Sequence, residues 1–176
     1  AMVQLLPSWE LGAHTERANF PYEEAVVSSI QPHWLLTMAL PNFFATDGPA
    51  PYWGSGDPAE TNLYAGLLPL FLAALGVVRA RPEDRRVTAL LAAGALLALV
   101  LAFGEHTWIY RIAYDLLPGV DRVRRPANYV ALLHFALALL AAYGVKALER
   151  EPVGGESCQM LLRWLRWALL LALGLL

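Results

Sequence analysis

The sequence predicts an all-α fold: a polytopic helical membrane protein with an extracytoplasmic loop region and short interfacial helices. Three observations predict it. Apolar residues are gathered into long blocks, the interiors of those blocks are almost free of charge, and arginines crowd their edges. Hydrophobic residues form 57% of the chain and charged residues 16%, against ~45–50% and ~25% in soluble domains. The blocks lack the amphipathic spacing that would leave one helix face for water.

Residues 1–61 form an acidic, aromatic-rich region ahead of the first block. Glu10, Glu16, Glu23, Glu24, Asp47, Asp57 and Glu60 stand against the single Arg17, a net charge of -6, while the remainder holds twelve bases and eight acids, a net +4. The start shows no basic stretch leading into an apolar run, so no secretory leader is read there. Trp9, Phe20, Tyr22, Trp34, Phe43, Phe44, Tyr52 and Trp53 are distributed through the region. Carboxylates with exposed rings suit a sugar-handling surface, and aromatics beside a membrane equally form an interfacial belt. Residues 32–40 (PHWLLTMAL) predict a short surface helix begun by proline, and residues 49–58 (PAPYWGSGDP) a turn-rich loop.

Three apolar stretches follow, at residues 62–78, 87–103 and 127–148. At ~1.5 Å per residue they reach roughly 25, 25 and 33 Å, against a hydrocarbon core of ~30 Å. A fourth, 160–176, carries Arg163 and Arg166 early and stops before it is long enough to cross. That stop, and a first residue other than methionine, suggest a piece of a longer protein. Pro69 in the first stretch is expected to free a carbonyl and kink the helix. His134 in the third is either a neutral histidine bonded to a neighbouring helix or a functional intramembrane group.

Orientation follows from the loops. RARPEDRR, residues 79–86, places Arg79, Arg81, Arg85 and Arg86 in one short turn, the pattern of a cytoplasmic loop. Alternation puts residues 1–61 and 104–126 outside a bacterial cytoplasmic membrane. In the outer segment Trp108, Ile109, Ile112, Leu116 and Leu117 share one helical face that would lie along the membrane surface, with Trp108, Tyr110 and Tyr114 at headgroup level. Pro118-Gly119 ends that helix, and Pro126 can begin the third span. Arg122, Arg124 and Arg125 therefore gather at the outer lip of a membrane helix. They can contact ordinary anionic lipid headgroups and pair with Asp115 and Asp121, or they can bind the phosphate of a lipid-linked substrate through paired guanidinium hydrogen bonds.

Other chemistries lack their residues. The lone Cys158 leaves no internal disulfide or CxxC site, and no Walker loop, dinucleotide-binding glycine turn, HExxH or GxSxG is present. No cofactor is evident, and His14 with Glu16 is too sparse for a metal site; a divalent metal stays open, with no residues here that support it. The basic residues sit at membrane edges, which gives nucleic-acid binding no support.

Several segments, in order, resemble the YfhO-type bacterial membrane proteins of the GT-C glycosyltransferase superfamily. They are QLLPSWEL (4–11), residues 17–22, QPHWLLTMALPNFF (31–44), YWG (52–54), ETNLYAGLLPLFLAALG (60–76), LLPGVDRVRRPANY (116–129) and the small residues at 141–144. The resemblance implies sugar transfer on the outer face, from a polyprenyl-phosphate donor to a cell-envelope acceptor. A base would deprotonate the acceptor hydroxyl as the lipid phosphate leaves, with arginines stabilising the charge that builds on it. It implies that Arg124 and Arg125, with Arg122, form the basic patch before a membrane helix. The acidic loop that supplies the catalytic base in such enzymes lies outside this sequence on that reading. Glu60 is the best-placed acid here, and anchoring the helix mouth is its other role. The rival expectation is a non-catalytic membrane protein, a transporter or flippase subunit or an envelope-assembly scaffold.

Overall fold

Leucine and alanine dominate the long apolar blocks, and both lose little freedom in a helix. The computed structural model describes residues 21–45, 63–117 and 125–150, together with Pro7, Glu10, Leu11, Trp53, Gly54, Val120, Gly155, Gln159, Arg163 and Trp164. Among these residues every regular element is helical. A single turn, α1 (Tyr22–Ala25), is followed by a 3₁₀ helix over Pro32–Met38. Then come α2 (Leu67–Val78), α3 (Arg85–Ala102), α4 (Trp108–Leu116) and α5 (Tyr129–Leu148). The second and third apolar blocks are α3 and α5. With its leading 3₁₀ turn, Pro126–Asn128, α5 makes a 23-residue stretch; it and the 18-residue α3 are long and apolar enough to cross a membrane.

The first block falls short of its expected length. Its helix begins at Leu67 and holds 12 residues, about 18 Å. Gly66 explains the late start: at φ 90° it takes a conformation that stops a helix from running back through it. The amides of Ala65 and Gly66 both donate to the Met38 carbonyl instead of entering a helix. Pro69 then occupies the first turn, where an amide has no intrahelical acceptor to lose, so the expected kink does not arise.

The chain divides into two compact units. One comprises Ala1–Thr37, Asn42–Leu63 and Leu97–Ala131; the other comprises Met38–Pro41, Tyr64–Leu96 and Leu132–Leu176. In the second unit α2 and α5 approach backbone to backbone. A Cβ added at Gly144 would overlap the Leu72 carbonyl oxygen, and one added at Gly76 would overlap the Leu140 carbonyl oxygen. Small residues permit such approach, which brings more atoms into van der Waals range.

The same unit is clasped by charge. Asp84, in the turn before α3, accepts from Lys146 Nζ through both oxygens at 2.7 and 2.8 Å, with Arg150 at 3.9 Å. Lys146 also complements the dipole at the end of α5. The Asp84 side chain is 16% exposed and Lys146 39%, between a surface pair and a buried one. Asp84→Asn is therefore expected to destabilise the protein by about 1–2 kcal/mol, measured by thermal unfolding in mild detergent.

In the first unit residues 25–30 tie three segments together. Ile30 donates to the Ala102 carbonyl at the end of α3, and the Glu105 amide donates to Ser29 Oγ. Arg125 and Ala127, at the entry to α5, donate to the carbonyls of Ala25 and Ser28. Gly104 sits where these meet, at φ 48°, against Ser29 and Pro126.

Candidate functional site

The entry to α5 is built from residues whose backbones are held in costly conformations. Arg125 lies at φ 70° and Ser28 at φ 66°, both left-handed and neither glycine. Such residues persist only where their surroundings over-determine them. Here the surroundings are three backbone bonds: Arg125 to Ala25 at 3.3 Å, Ala127 to Ser28 at 3.3 Å, and Asn128 to Arg125 at 3.0 Å. Arg125 is exposed, so a braced backbone carries a guanidinium at the start of an apolar helix. A guanidinium so placed can engage an anion through paired hydrogen bonds.

Beside this entry the unit has an aromatic interior. Tyr110 is fully buried among Val26, Leu101 and Ala113, with Tyr22, Val120 and Tyr129 packed around them. This corrects the expectation that Tyr110 lies at headgroup level: α4 turns Tyr110 and Ala113 inward. Its apolar stripe of Trp108, Ile112 and Leu116 is 74%, 45% and 76% exposed, the face expected to lie along a membrane. Arg111 stacks over the Tyr22 ring at 4.3 Å and pairs with Asp115 at 3.5 Å. Tyr22 in turn meets Tyr114 edge to face at 5.4 Å.

The Tyr110 hydroxyl finds no hydrogen-bond partner among the described residues. Burial, reinforced by Tyr129, Tyr22 and Tyr114, pushes its pKa from 10.0 up to about 12. A buried donor left unmatched is a net cost, so Tyr110→Phe is expected to stabilise the protein by about 1 kcal/mol at neutral pH. A raised folded-state pKa gives a contribution that is complete below pH 10 and lost by about pH 12, because the unfolded state sheds its proton first. Between those pH values the wild type should lose more stability than Tyr110→Phe. Chemical unfolding of both proteins across that range checks it.

A second aromatic group lies in the same unit. Phe44 is buried, with Phe43, Trp53 and His33 around it at ring distances of 5.0, 4.8 and 5.4 Å, all close to edge-to-face. The Trp53 amide donates to the Phe44 carbonyl at 3.1 Å, which holds the two rings together. Trp53 remains 62% exposed. Most of these rings are therefore occupied with one another, and Trp53 offers the open face that could stack on a sugar or lie in a headgroup layer. The 3₁₀ helix Pro32–Met38, expected on the surface, buries Trp34 and Thr37. Thr37 Oγ1 accepts from the Leu63 amide, which holds the 3₁₀ helix against the chain that leads toward α2.

Of the site residues expected from sequence, Arg125 is placed as described, and Arg122, Arg124 and Glu60 lie outside the described residues, as do Cys158 and Asp121. His134 is half-buried within α5. Among the described residues no group of three or more His, Cys, Asp or Glu gathers to hold a metal ion. Comparison with protein-family models, with curated proteins and with solved structures gives no match.

Proposed function

We propose that this chain is part of a multi-pass protein of a bacterial cytoplasmic membrane, whose outer side binds a polyprenyl-phosphate sugar donor for transfer to an envelope acceptor. One observation carries the membrane reading. Only 22% of each long apolar helix window is buried, and Leu90, Leu96, Leu97, Leu132 and Phe135 are 55–72% exposed. The core helix of a soluble protein hides such side chains from water, whereas a lipid-facing helix has no reason to. The exposed stripe of α4 adds an amphipathic surface suited to lie in the headgroup zone.

The donor reading rests on charge and position. Arg125 stands on a braced backbone at the mouth of α5, and Arg122 and Arg124 precede it in sequence. Arginines there would bind the donor phosphate and stabilise charge on it as the sugar departs. The sequence resemblance to YfhO-type proteins supports the same chemistry.

The first test is topology. In spheroplasts treated with a membrane-impermeant maleimide, a cysteine at Ser55 (Ser55→Cys) is expected to label and Cys158 to stay protected. The reverse pattern would make the arginine patch a cytoplasmic anchor and end the donor reading. Binding is the second test. Arg124→Gln with Arg125→Gln should weaken capture of a polyprenyl phosphate by about tenfold or more, seen by native mass spectrometry. Unchanged capture would leave a non-catalytic membrane component as the better description.

A further inference from the structure

The second unit contains a cavity of about 350 Å³ along one side of α2. Leu67, Leu70, Phe71, Ala74 and Val78 line it at helical spacing, and Trp164 closes it with its ring 6.2 Å from that of Phe71. Its wall is apolar over the whole length of the helix, about 16 Å from Leu67 to Val78. A hydrocarbon chain fits such a lining, and water gains nothing there.

What distinguishes this groove from an ordinary lipid-facing surface is its end. Val78 is followed directly by Arg79, whose amide donates to the carbonyl of Leu75, another residue of the lining. The turn then carries Arg81, Arg85 and Arg86, and the Arg85 amide returns to the Arg81 carbonyl at 2.8 Å, which keeps the arginines together. Two acids share the turn, yet neither cancels it. Asp84 is engaged by Lys146 and Arg150, and Glu83 meets Arg81 at 3.5 Å. Arg85 and Arg86 are exposed and carry no ion pair among the described residues. An apolar slot whose last lining residue, Val78, leads directly into an arginine-bearing turn complements one amphiphile above others, an anionic lipid lying with its phosphate at the turn.

We infer that the groove of α2 is a binding site for an anionic glycerophospholipid, its acyl chain along Leu67–Val78 and its phosphate held by the arginines of residues 79–86. The inference rests on the membrane reading above. It adds a lipid site separate in sequence from the Arg122–Arg125 patch and on the cytoplasmic side of that topology. There the leaflet is rich in anionic lipid, and each arginine near the surface adds to its attraction.

Trp164 supplies the probe. The full chain would be reconstituted in phosphatidylcholine vesicles that contain an equal minor fraction of either brominated phosphatidylglycerol or brominated phosphatidylcholine. Bromine on the acyl chain quenches a nearby indole, and subtracting the signal of Trp164→Phe isolates Trp164 from the other tryptophans. Quenching should show a preference of about fivefold or more for phosphatidylglycerol, the order expected from one arginine at an anionic headgroup. Arg85→Gln with Arg86→Gln should remove the preference while general quenching persists. Ala74→Phe, which fills the groove without touching the charges, should remove quenching by both lipids with helicity unchanged by circular dichroism. Equal quenching by the two lipids in the wild type would overturn the site and leave the membrane reading intact. Absence of quenching in a protein that floats with the vesicles would show that something other than lipid fills the groove, which also overturns the site. Failure to float would remove the membrane reading itself.

Discussion

Replacing Gly144 by alanine is expected to cost about 3 kcal/mol or more of stability, at the top of the range for overpacking. The new Cβ would overlap the carbonyl oxygen of Leu72 and lie 2.7 Å from its carbon. The obstacle is helix backbone and cannot rotate aside, so α2 and α5 must move apart. Their separation would loosen every contact between them, including the one at Gly76, whose own Cβ would meet Leu140 and the Gly144 amide nitrogen at 2.9 Å. Gly76→Ala should therefore act in the same direction. Because one movement relieves both clashes, the double variant should lose less than the sum of the two. Gly94, inside α3, is the control. Nothing lies within 4 Å of a Cβ added there, so Gly94→Ala should stabilise by about 0.5–1 kcal/mol through helix propensity alone. Thermal unfolding in mild detergent, with wild type and the four variants in the same micelle, reads the opposite signs directly. Equal melting of Gly144→Ala and wild type would mean that the two helices do not meet at these glycines.

The long helices were legible because their signal is local. Long runs of Leu and Ala lose little freedom as a helix, so the second and third blocks are α3 and α5. The amphipathic stripe of α4 was legible for the same reason, since i, i+4, i+8 spacing places Trp108, Ile112 and Leu116 together whatever lies nearby. Errors entered where a distant segment decides the outcome. Tyr110 reads as interfacial from its neighbours in sequence, yet Val26, more than eighty positions earlier, helps to enclose it. Composition extends the first apolar block back to Asn62, but the amides of Ala65 and Gly66 bond to Met38 and the helix waits until Leu67. Trp34 and Thr37 were expected on a surface helix and are buried, in part because Thr37 meets Leu63.

The candidate site divides in the same way. That arginines crowd the entry to α5 is plain from residues 122–125. That Arg125 adopts a left-handed backbone could not be read, because its amide is held by Ala25, one hundred positions away. Local rules disfavour that conformation for arginine. The braced entry and the basic patch coincide on one residue, and the agreement of a strained backbone with an exposed charge makes Arg125 the best-defined functional candidate of the described residues.

That bracing leads to the second large effect, at Gly104. Its φ of 48° is left-handed, and a Cβ there would overlap Ser29 Oγ and lie 2.7 Å from Pro126 Cγ. Alanine would add ~1–2 kcal/mol of backbone strain before any clash is counted. Ser29 cannot simply swing away. Its hydroxyl donates to the Val26 carbonyl at 2.6 Å and accepts from the Glu105 amide at 3.1 Å, so a new rotamer leaves the part-buried Glu105 amide unmatched, at ~1–3 kcal/mol. Pro126 is equally fixed, as a ring at the first turn of the α5 entry. Gly104→Ala is therefore expected to lose about 3–5 kcal/mol. The loss should be centred on the first unit, because both neighbours belong to it. Hydrogen exchange separates this from a general loss of stability. Amides of Ile30, Glu105, Arg125 and Ala127 should exchange faster in Gly104→Ala, while those in the middle of α2 keep their protection. Ser29→Ala in the same background should recover part of the loss by removing the clashing oxygen, although the Glu105 amide then goes unmet. If Gly104→Ala retains wild-type protection at Arg125 and Ala127, then Gly104 is not what allows residues 25–30 to hold the entry of α5, and the rigidity argued for Arg125 must come from elsewhere.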